Sequence, residues 1–203
     1  MKKTVIILSL FAFIASSCKV LKNTATNDKG VVINGVRWAT RNVDKPGTFV
    51  KKPEDAGMFY QWNRKKAWSA TEKASDWDGK IISENYACWE KANDPSPAGW
   101  RIPTFKEIKT LLDDKKVSSE WTTINGVDGK KFTDKATGNS IFLPAAGHLS
   151  YVDGSFHSAG WYGCYWSSTP HDNRWAYSFY FDYIMTWDHN FRTFGRSVRV
   201  VAE

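Results

Sequence analysis

Five aromatic rings fall on alternate positions near the C-terminus: Trp175, Tyr177, Phe179, Phe181 and Tyr183. A period of two puts all five on one face of an extended chain and scatters them around a helix. The stretch therefore predicts a strand with a heavily apolar face. Such a face must be covered, and the rest of the chain supplies hairpin material to cover it. Val31-Val32-Ile33 and Val36-Arg37-Trp38 flank Asn34-Gly35, a pair suited to a two-residue turn with positive φ. Gly126, Gly129 and Gly138 separate short apolar runs between 120 and 145, as further hairpins would require. Ser197 to Val201 alternates apolar residues with Arg199 and predicts a final strand. One helix is foreseen over Phe105 to Leu112. Ile108, Leu111 and Leu112 share a face there, and Thr104 with Glu107 forms a capping box behind Pro103. Short strands, many turns and few helices make an α+β domain, continuous from 31 to 203. The chain's 31 aromatic residues, all but Phe11 and Phe13 within this domain, can fill a sizeable core.

Residues 1–18 read as an address. Lys2-Lys3 precede an apolar run from Val5 to Ala15, too short to span a bilayer, and Ala15-Ser16-Ser17-Cys18 follows. The arrangement resembles a bacterial lipoprotein signal, in which the Cys becomes the lipidated N-terminus. Ala15 stands where that motif usually has Leu. The alternative is an ordinary cleaved signal with an incidental Cys18. Both readings export the domain, and lipidation of Cys18 would make it a lipoprotein of the cell envelope, at the outer membrane or cell surface. Residues 19–30 are polar and aperiodic, as a flexible tether would be.

Charge is spread unevenly. The net charge is +7, yet the Lys-Lys pairs at 51–52, 65–66, 115–116 and 130–131 are scattered like solvated surface. No Arg-rich run or nucleic-acid motif occurs, so no nucleic-acid partner is expected. All 20 Lys precede position 136. Residues 136–203 instead hold all 4 His and 16 of the 31 aromatic residues. His148, His157, His171 and His189 lie 9, 14 and 18 residues apart, which matches no ligand motif. No Gly-x-Ser-x-Gly marks a nucleophile either. Separate surface histidines are expected, with no metal, cofactor or catalytic residue.

The biased half suits recognition, because Tyr brings contact area at little entropic cost and short polar groups adapt their hydrogen bonds. Trp166, Trp175, Phe179 and Phe181 read as core. Tyr162, His171, Asp172, Asn173, Tyr183, Asp188, His189 and Phe191 are flanked by turn-forming or charged residues and read as ligand-binding loops between 148 and 194. Tyr183, Asp188, His189 and Phe191 are expected on one loop, within one small area.

The run Asn93-Asp94-Pro95-Ser96-Pro97-Ala98-Gly99-Trp100-Arg101-Ile102-Pro103-Thr104 resembles the signature of the Fibrobacter succinogenes major paralogous domain. Further likenesses follow in order at Leu143-Pro144-Ala145-Ala146-Gly147, Tyr165-Trp166-Ser167-Ser168-Thr169-Pro170 and Ser197-Val198-Arg199-Val200-Val201, with Asn34 to Val43 fitting the start. The resemblance implies a C-type lectin-like fold of the kind seen in formylglycine-generating enzymes, common in exported proteins of Bacteroidota. It makes Trp100 and Trp166 core anchors. Where the family usually carries Cys, this chain has Ser96 and Val200. That leaves Cys88 and Cys164 either to bridge each other or to stay as separate thiols. The oxidases of this fold use a pair of cysteines in a C-terminal cavity, and only Cys164 lies in that half.

The second half also resembles the variable region of targets of diversity-generating retroelements, in which adenines of AAY template codons are randomised. Such codons cannot reach Lys, Glu, Gln, Met or Trp, and residues 148–196 contain no Lys, Glu or Gln. Together these readings describe an exported, lipid-anchored, non-enzymatic protein that binds a protein or glycan ligand. A structural component of a cell-surface assembly is the alternative, and an oxidase of the formylglycine-generating kind is the third reading.

Overall fold

The computed structural model describes residues 27–71, 74, 76–80 and 86–203. The expected signal, Cys18 and most of the expected tether lie outside the described residues. In chain order the first elements are β1 (Val31–Ile33), β2 (Val36–Trp38), β3 (Phe59–Tyr60), β4 (Ala67–Trp68), β5 (Trp100–Arg101) and the helix α1 (Phe105–Leu111). Then come β6 (Val117–Ile124), β7 (Val127–Asp134), β8 (Ser140–Pro144), β9 (His148–Leu149), β10 (Phe156–His157), β11 (Gly163–Pro170), β12 (Trp175–Phe181), β13 (Met185–Phe191) and β14 (Val201–Ala202). They form small sheets in the orders β1-β2-β14-β5, β6-β7-β8 and β11-β12-β13, plus the pairs β3-β4 and β9-β10. All of these strand pairings are antiparallel. Short antiparallel strands with one helix make a β-rich α+β domain.

Local signals produce local structure as expected. Asn34 and Gly35 both take positive φ at the β1–β2 turn. Thr104 caps α1: its hydroxyl accepts from the Glu107 N–H at 3.2 Å, and the Glu107 carboxylate accepts from the Thr104 N–H at 2.8 Å. Arg101 forks onto the same carboxylate at 2.8 and 2.6 Å. The Gly-Trp-Arg-Ile-Pro-Thr run is thus a helix starter with a buried Trp100 behind it. Gly129 departs from expectation. It lies inside β7, where a Cβ would meet the Leu143 carbonyl oxygen at 2.4 Å, so close strand approach and not a turn requires it.

The sheet β11-β12-β13 stands between two cores, and strand alternation assigns its residues to each. Tyr165, Phe179 and Phe181 point into one core with Ile108, Leu111 and Phe132. Trp166 and Ala176 point into the other with Tyr60, Trp62, Trp100, Val198 and Val200. Trp100 and Trp166 are core residues, as expected. Trp175 is not. It sits half-buried at the outer end of β12, stacked on Phe191 at 4.0 Å.

The final segment also differs. Only Val201–Ala202 joins a ladder, and Ser197, Val198, Arg199 and Val200 are all buried. Arg199 does not alternate out to water. Its guanidinium donates to Asn42 Oδ1 at 2.8 Å, to the Ala39 carbonyl at 3.1 Å and to the Phe142 carbonyl at 3.0 Å. These acceptors make its burial tolerable, since a buried charge needs every donor satisfied. Part of the expected tether is also tied to the domain. Asp28 accepts from the Thr40 N–H at 3.0 Å and the Thr40 hydroxyl at 2.8 Å, and pairs with Arg41 at 3.3 Å.

Cys88 and Cys164 are both free, Cys88 exposed and Cys164 buried, so the bridge between them is not formed. β11 carries Cys164 into the interior, and burial pushes its thiol up, away from the reactive thiolate. Under native conditions one thiol, Cys88, should react promptly with a maleimide. Cys164 should react only on unfolding, and prompt labelling of both in a mass spectrum would contradict the burial.

Candidate functional site

The register of β12 with β13 pairs Trp175 with Phe191, Tyr177 with His189, Phe179 with Trp187 and Phe181 with Met185. All eight side chains therefore share one face of the sheet. At its inner end Phe179 and Phe181 enter the core. Toward the other end the face emerges as a ribbon of rings. Phe105 of α1 stacks on Tyr177 at 4.4 Å, and Trp187 meets Phe105 edge-on at 4.9 Å. His171 and His189 stack at 4.0 Å with 10° between their planes.

Residues 185–191 are thus a strand and not the expected loop. The polar run Asp188-His189-Asn190 is held extended by a full ladder to β12. Two corrections follow. β12 is seven residues long, about 20 Å, so Tyr183 at one end and Phe191 at the other cannot share a small area. Alternation also sends Asp188 toward the opposite face from His189, beside Ser178. The expected surface divides into two patches. His171, Asp172, Asn173, His189 and Phe191 gather at the β11–β12 turn. Tyr183 lies at the β12–β13 tip, and Tyr162 precedes β11 at the same end of the sheet.

At the turn patch Asp172 has a structural task. Its carboxylate accepts from the Arg174 and Trp175 N–H groups, both at 2.8 Å, and shapes the turn. His171, Asp172 and Asn173 are exposed, while His189 and Phe191 are half-buried against the ring ribbon.

The tip patch is more open and more apolar. Tyr183 is 79% exposed, Ile184 71% and Trp161 65%. Trp121 of β6 stacks against Tyr183 at 5.8 Å. Trp121, Trp161 and Tyr183, with Gly160 and Asp128, line a cleft of about 210 Å³. Hydrogen bonds hold this geometry. Gly160 takes φ +77°, which a side chain would resist, and donates its N–H to the Ala145 carbonyl at 2.8 Å. The Trp161 and Tyr162 N–H groups both donate to the Ser158 carbonyl, at 3.1 and 3.0 Å. Across the cleft, Asp182 accepts from the Ile184 N–H at 2.6 Å, and the buried Lys130 ammonium donates to the Asp182 carbonyl at 3.1 Å. Two faces of rings and one carboxylate acceptor on a pinned frame can stack on a flat apolar ligand surface and accept from its hydroxyl or amide. Of the residues lining the cleft only Tyr183 is foreseen from sequence. Trp161 carries a readable signal, a ring between Gly160 and Tyr162-Gly163 in a turn-rich stretch. Trp121 and Asp128 carry none, because the fold alone brings β6 and β7 beneath the tip.

The four histidines are not separate. Besides His171 with His189, His148 stacks on His157 at 5.8 Å and lies edge-on to Phe194 at 5.6 Å. Among the described residues no group of three or more His, Cys, Asp or Glu could hold a metal ion. Burial, with positive charge on Arg196 and the neighbouring His157, pulls His148 down to about 4. The unfolded chain therefore takes up this proton at a higher pH than the native one. Stability should fall as pH drops from the ordinary histidine range toward about 4. The effect is about 1 kcal/mol between about pH 7 and about pH 5, discounted for partial solvent screening. Melting curves of the wild type and His148→Gln should diverge over that interval, the wild type losing more; parallel curves would refute the assignment.

A model of a domain of unknown function, DUF8237, matches residues 117–201, the stretch from β6 to β14 that holds both patches. No curated protein matches the chain significantly, and neither does any solved structure.

Proposed function

We propose that this chain is an exported, non-enzymatic binding protein, tethered to the cell envelope through a lipid on Cys18, with its ligand surface at the aromatic tip. The observation that carries the reading is the exposure of Trp161 and Tyr183 in one cleft, with Ile184 exposed next to Tyr183 in the chain. Large apolar side chains clustered in water on a pinned frame are costly to solubility and mark contact surfaces. The ligand is a glycan or a protein, met through stacking and the Asp128 carboxylate. The scaffold is C-type lectin-like, in keeping with the resemblance to the Fibrobacter succinogenes major paralogous domain. The motifs behind that resemblance serve as interior joints: Trp100, Trp166, Ser167 and Ser197 to Val201 are all buried. Tyr162, Tyr183 and Ile184 are residue types that an AAY codon reaches, whereas Trp121 and Trp161 would be invariant walls, so a diversified tip is compatible with the composition of 148–196.

A structural role in a surface assembly has one observation of its own: among the described residues β13 pairs only with β12 and leaves an open strand edge. No helix among the described residues is long and apolar enough to cross a membrane, so anchoring rests on Cys18. Labelling with a fatty-acid analogue should mark the wild type and spare Cys18→Ala; equal labelling would remove the anchor. Binding is tested by probing glycan and protein arrays with the protein. Saturable binding that free ligand competes away supports the reading, and its absence from both arrays favours the structural role.

A further inference from the structure

The cleft at the tip combines three rings with one carboxylate, and that chemistry narrows what can enter it. Trp121 and Tyr183 stack on each other with 29° between their planes, and Phe181 holds Trp121 edge-on from the core side at 6.3 Å. Trp161 lines the same cleft but makes no ring contact among the described residues, which leaves the open volume between it and the stacked pair. Trp161 and Tyr183 are both mostly exposed, so ring faces are free to meet a ligand.

Asp128 supplies the charge. It sits half-buried on β7 and accepts from the Thr123 hydroxyl across the β6–β7 pair. It forms no ion pair among the described residues. The next cations along β7 are engaged elsewhere: Lys130 donates to the Asp182 carbonyl, and Lys131 pairs with Glu120 at 3.0 Å. No Lys, Arg or His among the described residues joins the lining. A carboxylate without a counter-charge beside open ring faces favours a cation, because the face of an aromatic ring is its negative side.

The count of acceptors decides which cation. A primary ammonium brings three N–H donors, and each needs an acceptor when it leaves water. The side chains of the lining offer acceptors only on Asp128 and the Tyr183 hydroxyl. A quaternary ammonium has no N–H to satisfy and presents methyl groups to the rings. The same shortage counts against a bare sugar ring as the inserted group, since its hydroxyls would lose water without replacement. At about 210 Å³ the cleft is also smaller than pockets that enclose a whole ligand, roughly 300–1,000 Å³, and suits a single headgroup.

We infer that the tip cleft is an aromatic cage for a quaternary ammonium group, the trimethylammonium of a choline-type ligand. Its methyl groups lie between Trp161 and the Trp121–Tyr183 pair, and Asp128 balances its charge. This assignment rests on the reading of the tip as the ligand surface and adds the chemical class of the group that enters it.

An NMR titration followed at the tryptophan indole N–H signals tests it, with three probes at constant ionic strength. Choline carries charge and methyl groups, ethanolamine carries the charge without the methyl groups, and the carbon isostere of choline, with a tert-butyl group in place of trimethylammonium, keeps the shape without the charge. Choline should shift the Trp121 and Trp161 signals saturably and bind at least about tenfold more tightly than either analogue. Trp161→Ala should abolish that binding. Asp128→Asn, whose amide oxygen can still accept from Thr123, should weaken it by about tenfold with an unchanged melting temperature. Choline that shifts neither signal up to about 10 mM, equal binding of the carbon isostere, or an Asp128→Asn variant that binds like the wild type would overturn the proposal. Ethanolamine binding as tightly as choline would overturn the need for methyl groups and with it the quaternary assignment. A ligand from the arrays separates the two readings. Where choline fails but that ligand still shifts both indole signals, the ammonium assignment falls and the tip remains the ligand surface; where the ligand shifts neither, the tip falls as well.

Discussion

Replacing Trp166 with alanine is expected to cost about 3–5 kcal/mol, a large fraction of the roughly 5–15 kcal/mol that holds a domain together. Trp166 is fully buried, at 0% exposure, where β11 crosses the second core. Three losses combine. The ring leaves a cavity that neighbours on three separate segments cannot fill together. The indole N–H no longer donates to the Tyr60 carbonyl at 2.7 Å. The buried Arg196 guanidinium, 5.0 Å above the ring, loses the face that compensates its desolvation. The melting temperature should drop by about 6–20 °C for a domain of this size. Trp166→Phe, which keeps a ring under Arg196, should lose less than half as much. A fall of only about 1–2 °C for the alanine variant would mean that the second core is not built around this ring.

Removing Trp161 and Tyr183 together should abolish binding to any ligand the arrays identify. Interface energy concentrates in a few aromatic anchors, each worth about 2 kcal/mol or more, so the double alanine variant should weaken affinity by at least about a hundredfold. Neither ring packs the core, and exposed substitutions usually change stability by no more than about 0.5 kcal/mol. The melting temperature should therefore hold while affinity collapses. His171→Ala with His189→Ala, at the other end of the sheet, supplies the contrast and should leave tip binding intact.

The contrast exists because one surface expected from sequence became two in three dimensions. Alternating rings at 175–181, the Asn34-Gly35 turn and the Thr104–Glu107 cap are local devices, so a short window of sequence suffices to read them. The strand at 185–191 is not local. Asp188-His189-Asn190 has the composition of a loop, and only the ladder from β12 makes it extended. Arg199 is likewise misread by alternation, because its three acceptors lie on segments 57 to 160 residues away. The same distance problem applies to the thiols, since no spacing reveals that Cys164 is enclosed while Cys88 is exposed. At the tip, residues from β6, β7, the Ser158 turn and the β12–β13 turn meet in one cleft. Sequence reaches its tyrosine, Tyr183, through the flanking residues but not Trp121 or Asp128, whose presence depends on how the sheets are stacked.

Chemical-shift mapping of the protein with a ligand from the array tests the central claim most directly. The indole N–H signals of Trp121 and Trp161 and the amides of Gly160 to Tyr162 and Asp182 to Ile184 should move together as ligand is added. Signals of His171 to Trp175 should stay in place. A bound ligand that moves only the His171 to Trp175 end, or leaves both indole signals unchanged, would contradict a binding site at the aromatic tip.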